Sequence, residues 1–263
     1  MSKVNTNSLI NYLNDLFPQT HAAEWDTVGL QIEEVYNLPS QDEISAVVVC
    51  LDVTKDVVEK AITTKANFII SRHPFFFGDI NEELQNPAKK EVYDALIAHE
   101  IQVFSIHTNY DNSESNNLID LLETRFNIKK YEVVGENQEG YKIEFLREIA
   151  LSEIVENMKL IFGQEQLALS VNSDLNKLVR KIYLTPGSGS DTMSHLKLQN
   201  AVFVTGEVKW HEWLYADQNH VDLLTLGHYM ENHFIDDIRN KLYKTFTDIV
   251  VYDYDIKNLF KVV

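Results

Sequence analysis

Short, almost wholly apolar runs recur along this chain, most of them followed by a stretch with helical spacing, and no other feature restricts its fold as much. Residues 46–52 read AVVVCLD, 67–71 NFIIS, 201–205 AVFVT and 222–226 DLLTL, and a further strand spans Ile101 to Ile106. Runs without polar alternation are what a strand carries when both of its faces are covered, the condition of a parallel sheet between helices. Thr54 stands where a cap is needed for a helix carrying Val57, Val58, Ala61 and Ile62. Residues 46–71 therefore predict a strand–helix–strand unit close to the shortest that permits a parallel crossover.

The remaining segments follow the same logic. Leu9, Leu13, Leu16 and Phe17 recur at helical spacing until Pro18, Pro87 opens a helix with Val92, Ala95 and Leu96, and Leu118 to Leu122 begins another. The pattern breaks around Lys129 to Gly140, where Gly135, Glu136, Asn137 and Gln138 read as a loop. Beyond it, Tyr141, Ile143 and Phe145 alternate as in a half-buried strand, and Ser152 is placed to cap a helix with Ile154, Val155, Met158 and Ile161. Strands are expected at 167–171 and 178–185, helices from 207 and up to about Leu242, and a last strand from Asp248 to Tyr254. The expected class is α/β, in two lobes divided at the break: 1–128 and 129–263. An echo supports a relation between them, because each half delivers a histidine followed by an acid from a strand end: His107 with Asp111, and His228 with Glu231.

Charge removes other classes. With 40 Asp plus Glu against 23 Lys plus Arg, the 263 residues carry a formal charge of -17, which repels nucleic-acid phosphates and anionic membrane surfaces. No apolar run approaches the ~20 residues that span a bilayer, and the opening Met1-Ser2-Lys3-Val4-Asn5 has no signal-peptide character. The single cysteine, Cys50, excludes an internal disulfide framework. A soluble, cytoplasmic protein is expected.

Ligand sites in α/β folds gather at the carboxyl ends of parallel strands. His73, His107 with Asp111, and His228 with Glu231 all follow predicted strands and offer the imidazole and carboxylate donors that divalent cations take. Most histidines in any chain are surface or hydrogen-bonded groups, and His21, His99, His195, His220 and His233 are assigned to that class. Trp210, Trp213 and Tyr215 read as core or subunit contacts. The turn Gly187-Ser188-Gly189-Ser190 lacks the lysine of a nucleotide-binding loop and reads as a tight turn.

Seven stretches in order, EWDTVGLQI (24–32), LDVTKDVVEKA (51–61), ANFIISRHPFFF (66–77), HTNYDN (107–112), GSG (187–189), VTGEVKWHEW (204–213) and LGHYMEN (226–232), resemble the Nif-three-like family, the GTP cyclohydrolase 1 type 2 homologues. The resemblance implies two α/β lobes with a metal site in the cleft between them and a toroidal homohexamer. Carried over by position, it implies His73, Asp111, His228 and Glu231 as metal ligands, with Asp111 and Glu231 bridging two ions. It makes His107 a neighbour that orients a ligand or contacts substrate, and the candidate proton shuttle. Where the family usually has two adjacent histidines before the proline, this chain has Arg72, which has no lone pair for a cation. Arg72 can displace the second ion, point away and leave that ion an extra water, or bind a substrate phosphate or bridge to Glu231 or Asp111.

The implied activity is a divalent-metal-dependent hydrolase acting on a small molecule, with zinc best suited to the donors and manganese, iron or nickel also compatible. Taken literally, the family label puts the attack at C8 of guanine in GTP; a phosphoester or amide substrate fits the residues nearly as well. The alternative is a ring-shaped scaffold or protein-interaction module whose metal is structural or vestigial.

Overall fold

The computed structural model describes residues 4–38, 42–164 and 167–255. It has a mixed α/β fold in which contacts divide the chain into two compact units, one formed by 4–116 with 234–255 and the other by 117–233. The sequence pattern divides the chain once, at the break after 128; the contacts divide it twice, because the last helix and strand return to the first unit. Of the expected signal-free N-terminus, Met1-Ser2-Lys3 lies outside the described residues.

In the first unit, five strands form a sheet in the order Val251–Tyr254, Val47–Cys50, Phe68–Ser71, Gln102–Ser105, Gly29–Leu30. The first four are parallel, with Val47 opposite Phe68 and Phe68 opposite Gln102, and only the short strand at Gly29 runs antiparallel. Alternate side chains leave opposite faces of a strand. Val47, Val49, Phe68, Ile70 and Phe104 pack on one side with Leu9, Leu13 and Phe17 of the helix Thr6–Leu16 and its end, and with Phe234, Ile238 and Leu242 of the helix His233–Thr245. Val48, Cys50, Ile69 and Val103 pack on the other with Val57, Val58 and Ala61 of the helix Lys55–Thr64 and Leu96 of the helix Pro87–Ala98. Both faces are covered, which is why the runs carry no polar alternation. Thr54 caps its helix by accepting from the Val57 amide at 3.4 Å.

In the second unit, six strands follow the order Ile128–Val134, Gly140–Ala150, Leu178–Thr185, Val202–Thr205, Asp222–Thr225, Ala168–Leu169. Leu178–Thr185, Val202–Thr205 and Asp222–Thr225 are parallel; the others are antiparallel to their neighbours. The helix Leu151–Phe162 lays Ile154, Met158 and Phe162 against Ile182, Leu184, Val204 and Leu224.

Two local features depart from the sequence pattern. Residues 128–134, for which the pattern predicts no element, form an edge strand. Five of the seven are exposed, so no apolar face marks it. Its pairing with Gly140–Ala150 is reinforced by Lys129 on Glu144 and Lys142 on Glu132. Ser152 is not the cap of its helix, which starts one residue earlier from an uncapped Ala150.

Candidate functional site

The first unit presents its chemistry where the parallel strands end. Past Ser71 the chain keeps the strand's pairing, the Arg72 and His73 amides donating to the Cys50 and Leu51 carbonyls at 3.0 and 2.9 Å. The His73 carbonyl accepts from the Ser71 and Ser105 hydroxyls. Its ring Nδ1 lies 2.9 Å from an Asp52 carboxylate oxygen. A carboxylate on one ring nitrogen fixes the imidazole's orientation and leaves Nε2 as the donor, the arrangement common to metal-binding histidines.

Arg72 is only 2% exposed. One of its terminal nitrogens donates to both carboxylate oxygens of Asp111, at 2.8 and 2.7 Å. The other donates to the His107 carbonyl, and the guanidinium carbon sits 5.3 Å from the centre of the Tyr110 ring. Of the outcomes open for Arg72 in the sequence, the bridge to Asp111 is realised. The carboxylate expected to join two cations is joined to a side-chain cation.

His107 follows the strand Gln102–Ser105 and opens the short helix Thr108–Asp111. Its Nδ1 is 3.0 Å from Asp26, whose carboxylate is fully buried. The second Asp26 oxygen accepts from the Thr108 amide and hydroxyl, and the first accepts from the Thr27 amide at 2.9 Å. Burial pushes the Asp26 carboxyl up, but the His107 bond and charge and the Thr108 bonds outweigh it and hold the pKa below the ordinary carboxylate value. Trp25 and Phe77, both about half exposed or more, stand edge-on to the His107 ring at 5.8 Å each.

The second unit carries its candidate residues on three loops at the ends of its parallel strands. Gly187, Gly206 and Gly227 are threaded by hydrogen bonds: the Gly206 and Glu207 amides donate to the Gly187 carbonyl at 2.9 Å each, and Gly227 to Gly206 at 3.0 Å. His228 and Glu231 lie on the one short turn that follows Gly227, with His228 Nε2 3.2 Å from a Glu231 oxygen and Nδ1 3.3 Å from Glu207. Glu231 is only 4% exposed. Gly187 has φ +56, and a Cβ there would stand 2.5 Å from Glu231 Oε1; the turn is glycine because the buried carboxylate occupies the space a side chain would take. Imidazole beside carboxylate is a donor set that fits a divalent ion.

Asp52, Asp26 and Glu207 were not singled out from the sequence. Asp52 closes the apolar run 46–52, and Glu207 follows the run 201–205 through Gly206, so strand-end position was a usable signal for both. Asp26, in a stretch without periodicity, gave none. His233, assigned to the surface or hydrogen-bonded histidines, donates from Nδ1 to Asn117 Oδ1 at 2.8 Å.

Comparison with known proteins follows the same ground. The model of the family Duf34/NIF3 (NGG1p interacting factor 3) matches residues 4–258. A GTP cyclohydrolase 1 type 2 homolog from Mycoplasmopsis pulmonis is 29% identical over 237 residues, covering 89% of this chain and 91% of that one. The NGG1-interacting factor 3 of Saccharomyces cerevisiae is 27% identical over 92% of this chain and 91% of its own. A Bacillus cereus protein related to NIF3 has the same fold, with a TM-score of 0.84, 18% identity and full coverage of both chains.

Proposed function

Because the chain belongs to the Duf34/NIF3 family, we propose that it is a divalent-metal-dependent hydrolase that uses one ion per chain rather than two. Its proposed ligands are His73 in the first unit and His228 and Glu231 in the second, imidazole and carboxylate donors that suit zinc first, with manganese, iron or nickel also compatible. When bound, such an ion supplies Lewis acidity, which makes water nucleophilic near neutral pH and polarises the bond attacked. Asp52 and Glu207 hold the imidazoles of His73 and His228 by their other nitrogens. His107 carries the proton between water and leaving group. The observation that favours one ion over two is the Arg72–Asp111 pair, in which Arg72 supplies the fixed positive charge that a second ion would bring.

The substrate is proposed as a small molecule, nucleotide-like or otherwise hydrolysable; GTP enters through the names of relatives alone. Self-association to a toroidal homohexamer is proposed with it, supported by exposed large apolar side chains such as Leu146, Leu160 and Trp210. Among the described residues no helix is long and apolar enough to cross a membrane, and the buried free thiol of Cys50 suits the reducing setting of a cytoplasm.

Elemental analysis of protein purified without chelator or affinity metal tests the reading, beside turnover of GTP and simple phosphoesters. We expect close to one ion per chain in the wild type and none in His228→Ala, with turnover lost alongside the metal. Two ions in the wild type would overturn the single-ion centre, and none would overturn the metallohydrolase. A second reading, a ring-shaped scaffold with a structural ion, rests on the yeast relative's name as an interacting factor; one ion per chain with no turnover of any phosphoester or nucleotide would favour it.

A further inference from the structure

Asp26 sits in a stretch with no secondary structure, yet its carboxylate is wholly buried and takes four hydrogen bonds. The Thr108 hydroxyl cannot turn away, because it accepts from the Ala23 amide at 2.9 Å and so directs its hydrogen to Asp26. The Thr108 amide donates to the same oxygen at 3.0 Å. Every neighbour on this carboxylate other than His107 is therefore a fixed donor, and the carboxylate is positioned before His107 meets it.

We infer that Asp26 is a positioning residue that fixes the tautomer of His107, with the hydrogen on Nδ1 and the lone pair on Nε2, so that the ring enters the reaction as a proton acceptor. An ionised carboxylate only accepts hydrogen bonds, so the Nδ1 that lies 3.0 Å from it carries the hydrogen. The ring plane is held independently by edge contacts with Trp25 and Phe77 at 5.8 Å and with His73 at 5.5 Å. A buried carboxylate that sets a histidine's tautomer is the device of the serine-protease triad, reached there on unrelated folds. The use made of the proton rests on the hydrolase reading above; the tautomer itself does not.

Asp26→Asn separates positioning from packing because the two residues have nearly the same shape. An amide has one accepting end. Thr108 offers two donors to one position, and Thr27 a single donor to the other, so the amide oxygen settles beside Thr108 and its NH2 faces His107. The ring must then accept at Nδ1 and carry its hydrogen on Nε2.

The experiment is long-range 15N–1H correlation of the imidazoles in full-length protein at a pH where they are neutral, with His107→Gln identifying the resonances and metal content measured on each sample. The expected result is Nδ1–H in the wild type and Nε2–H in Asp26→Asn, with metal content per chain unchanged. The same tautomer in both proteins, or Nε2–H in the wild type, overturns the inference; the wild-type spectrum alone decides it should the variant fail to fold. A wild type without metal would count against the hydrolase reading and leave the tautomer result standing.

Discussion

Asp111 gives both of its carboxylate oxygens to a single nitrogen of Arg72, at 2.8 and 2.7 Å, and so spends on a side chain the lone pairs that a pair of cations would share. Replacing Arg72 by histidine removes the guanidinium and restores an imidazole donor. Arg72→His is expected to raise metal content from about one to about two ions per chain, read by elemental analysis. An unchanged single ion would mean that Asp111 is withheld by something other than Arg72.

Arg72→Met keeps much of the volume and removes the charge. Leaving a largely buried carboxylate without its partner costs about 3–5 kcal/mol, so the urea midpoint should fall sharply. Adding Asp111→Asn to Arg72→Met should recover part of that loss. A double variant no more stable than Arg72→Met would show that the charge on Asp111 was not the source of the cost.

Gly187→Ala would place a methyl group 2.5 Å from Glu231 Oε1 on a backbone with φ +56. The strained conformation alone costs about 1–2 kcal/mol, and the carboxylate must move to admit the methyl. Lower metal affinity by competition with a chelator is expected together with a lower melting temperature. Gly163, also at positive φ with nothing within 4 Å of its Cβ position, is the control: Gly163→Ala should cost stability and leave metal affinity alone.

Asp52→Ala should weaken metal binding by about 10- to 100-fold, because it frees the His73 ring that Asp52 orients through Nδ1. Chelator titration measures it. Equal affinity in wild type and variant would remove Asp52 from the site.

The Asp26 carboxyl has a lower pKa folded than unfolded, so the unfolded chain binds its proton more readily. Its contribution to stability is complete above the unfolded value of about 3.9 and fades as pH falls through the folded one. The stability gap between wild type and Asp26→Asn should accordingly narrow on acidification below about 3.9, followed by urea unfolding across pH. A gap of constant size would mean that the carboxylate's charge contributes nothing.

What the sequence made legible was what repeats. Buried parallel strands write themselves as apolar runs, and Val47–Cys50, Phe68–Ser71 and Val202–Thr205 lie within the predicted segments. The edge strand Ile128–Val134 buries no face and so left no pattern. The return of Val251–Tyr254 to the first sheet depends on pairing with Val47–Cys50 across some two hundred residues, which local periodicity does not encode. At the site, residue types at strand ends pointed to His73, His107, Asp111, His228 and Glu231, and Arg72 stood out as a departure from the resembled family. That its partner is Asp111 needed coordinates, as did the link from Asp26 to His107 across 81 positions.

Because Val251–Tyr254 lies beside Val47–Cys50 in the same sheet, the order in which the ribosome makes the chain is not the order in which its units can be finished. Residues 117–233 are contiguous and can close their core while synthesis continues. The first-made strands wait, one edge of Val47–Cys50 without its hydrogen-bonded neighbour, until residues 251–254 emerge. At 5–20 residues per second that wait is on the order of ten seconds or more, a window in which an exposed strand edge is open to chaperones or to a neighbouring nascent chain.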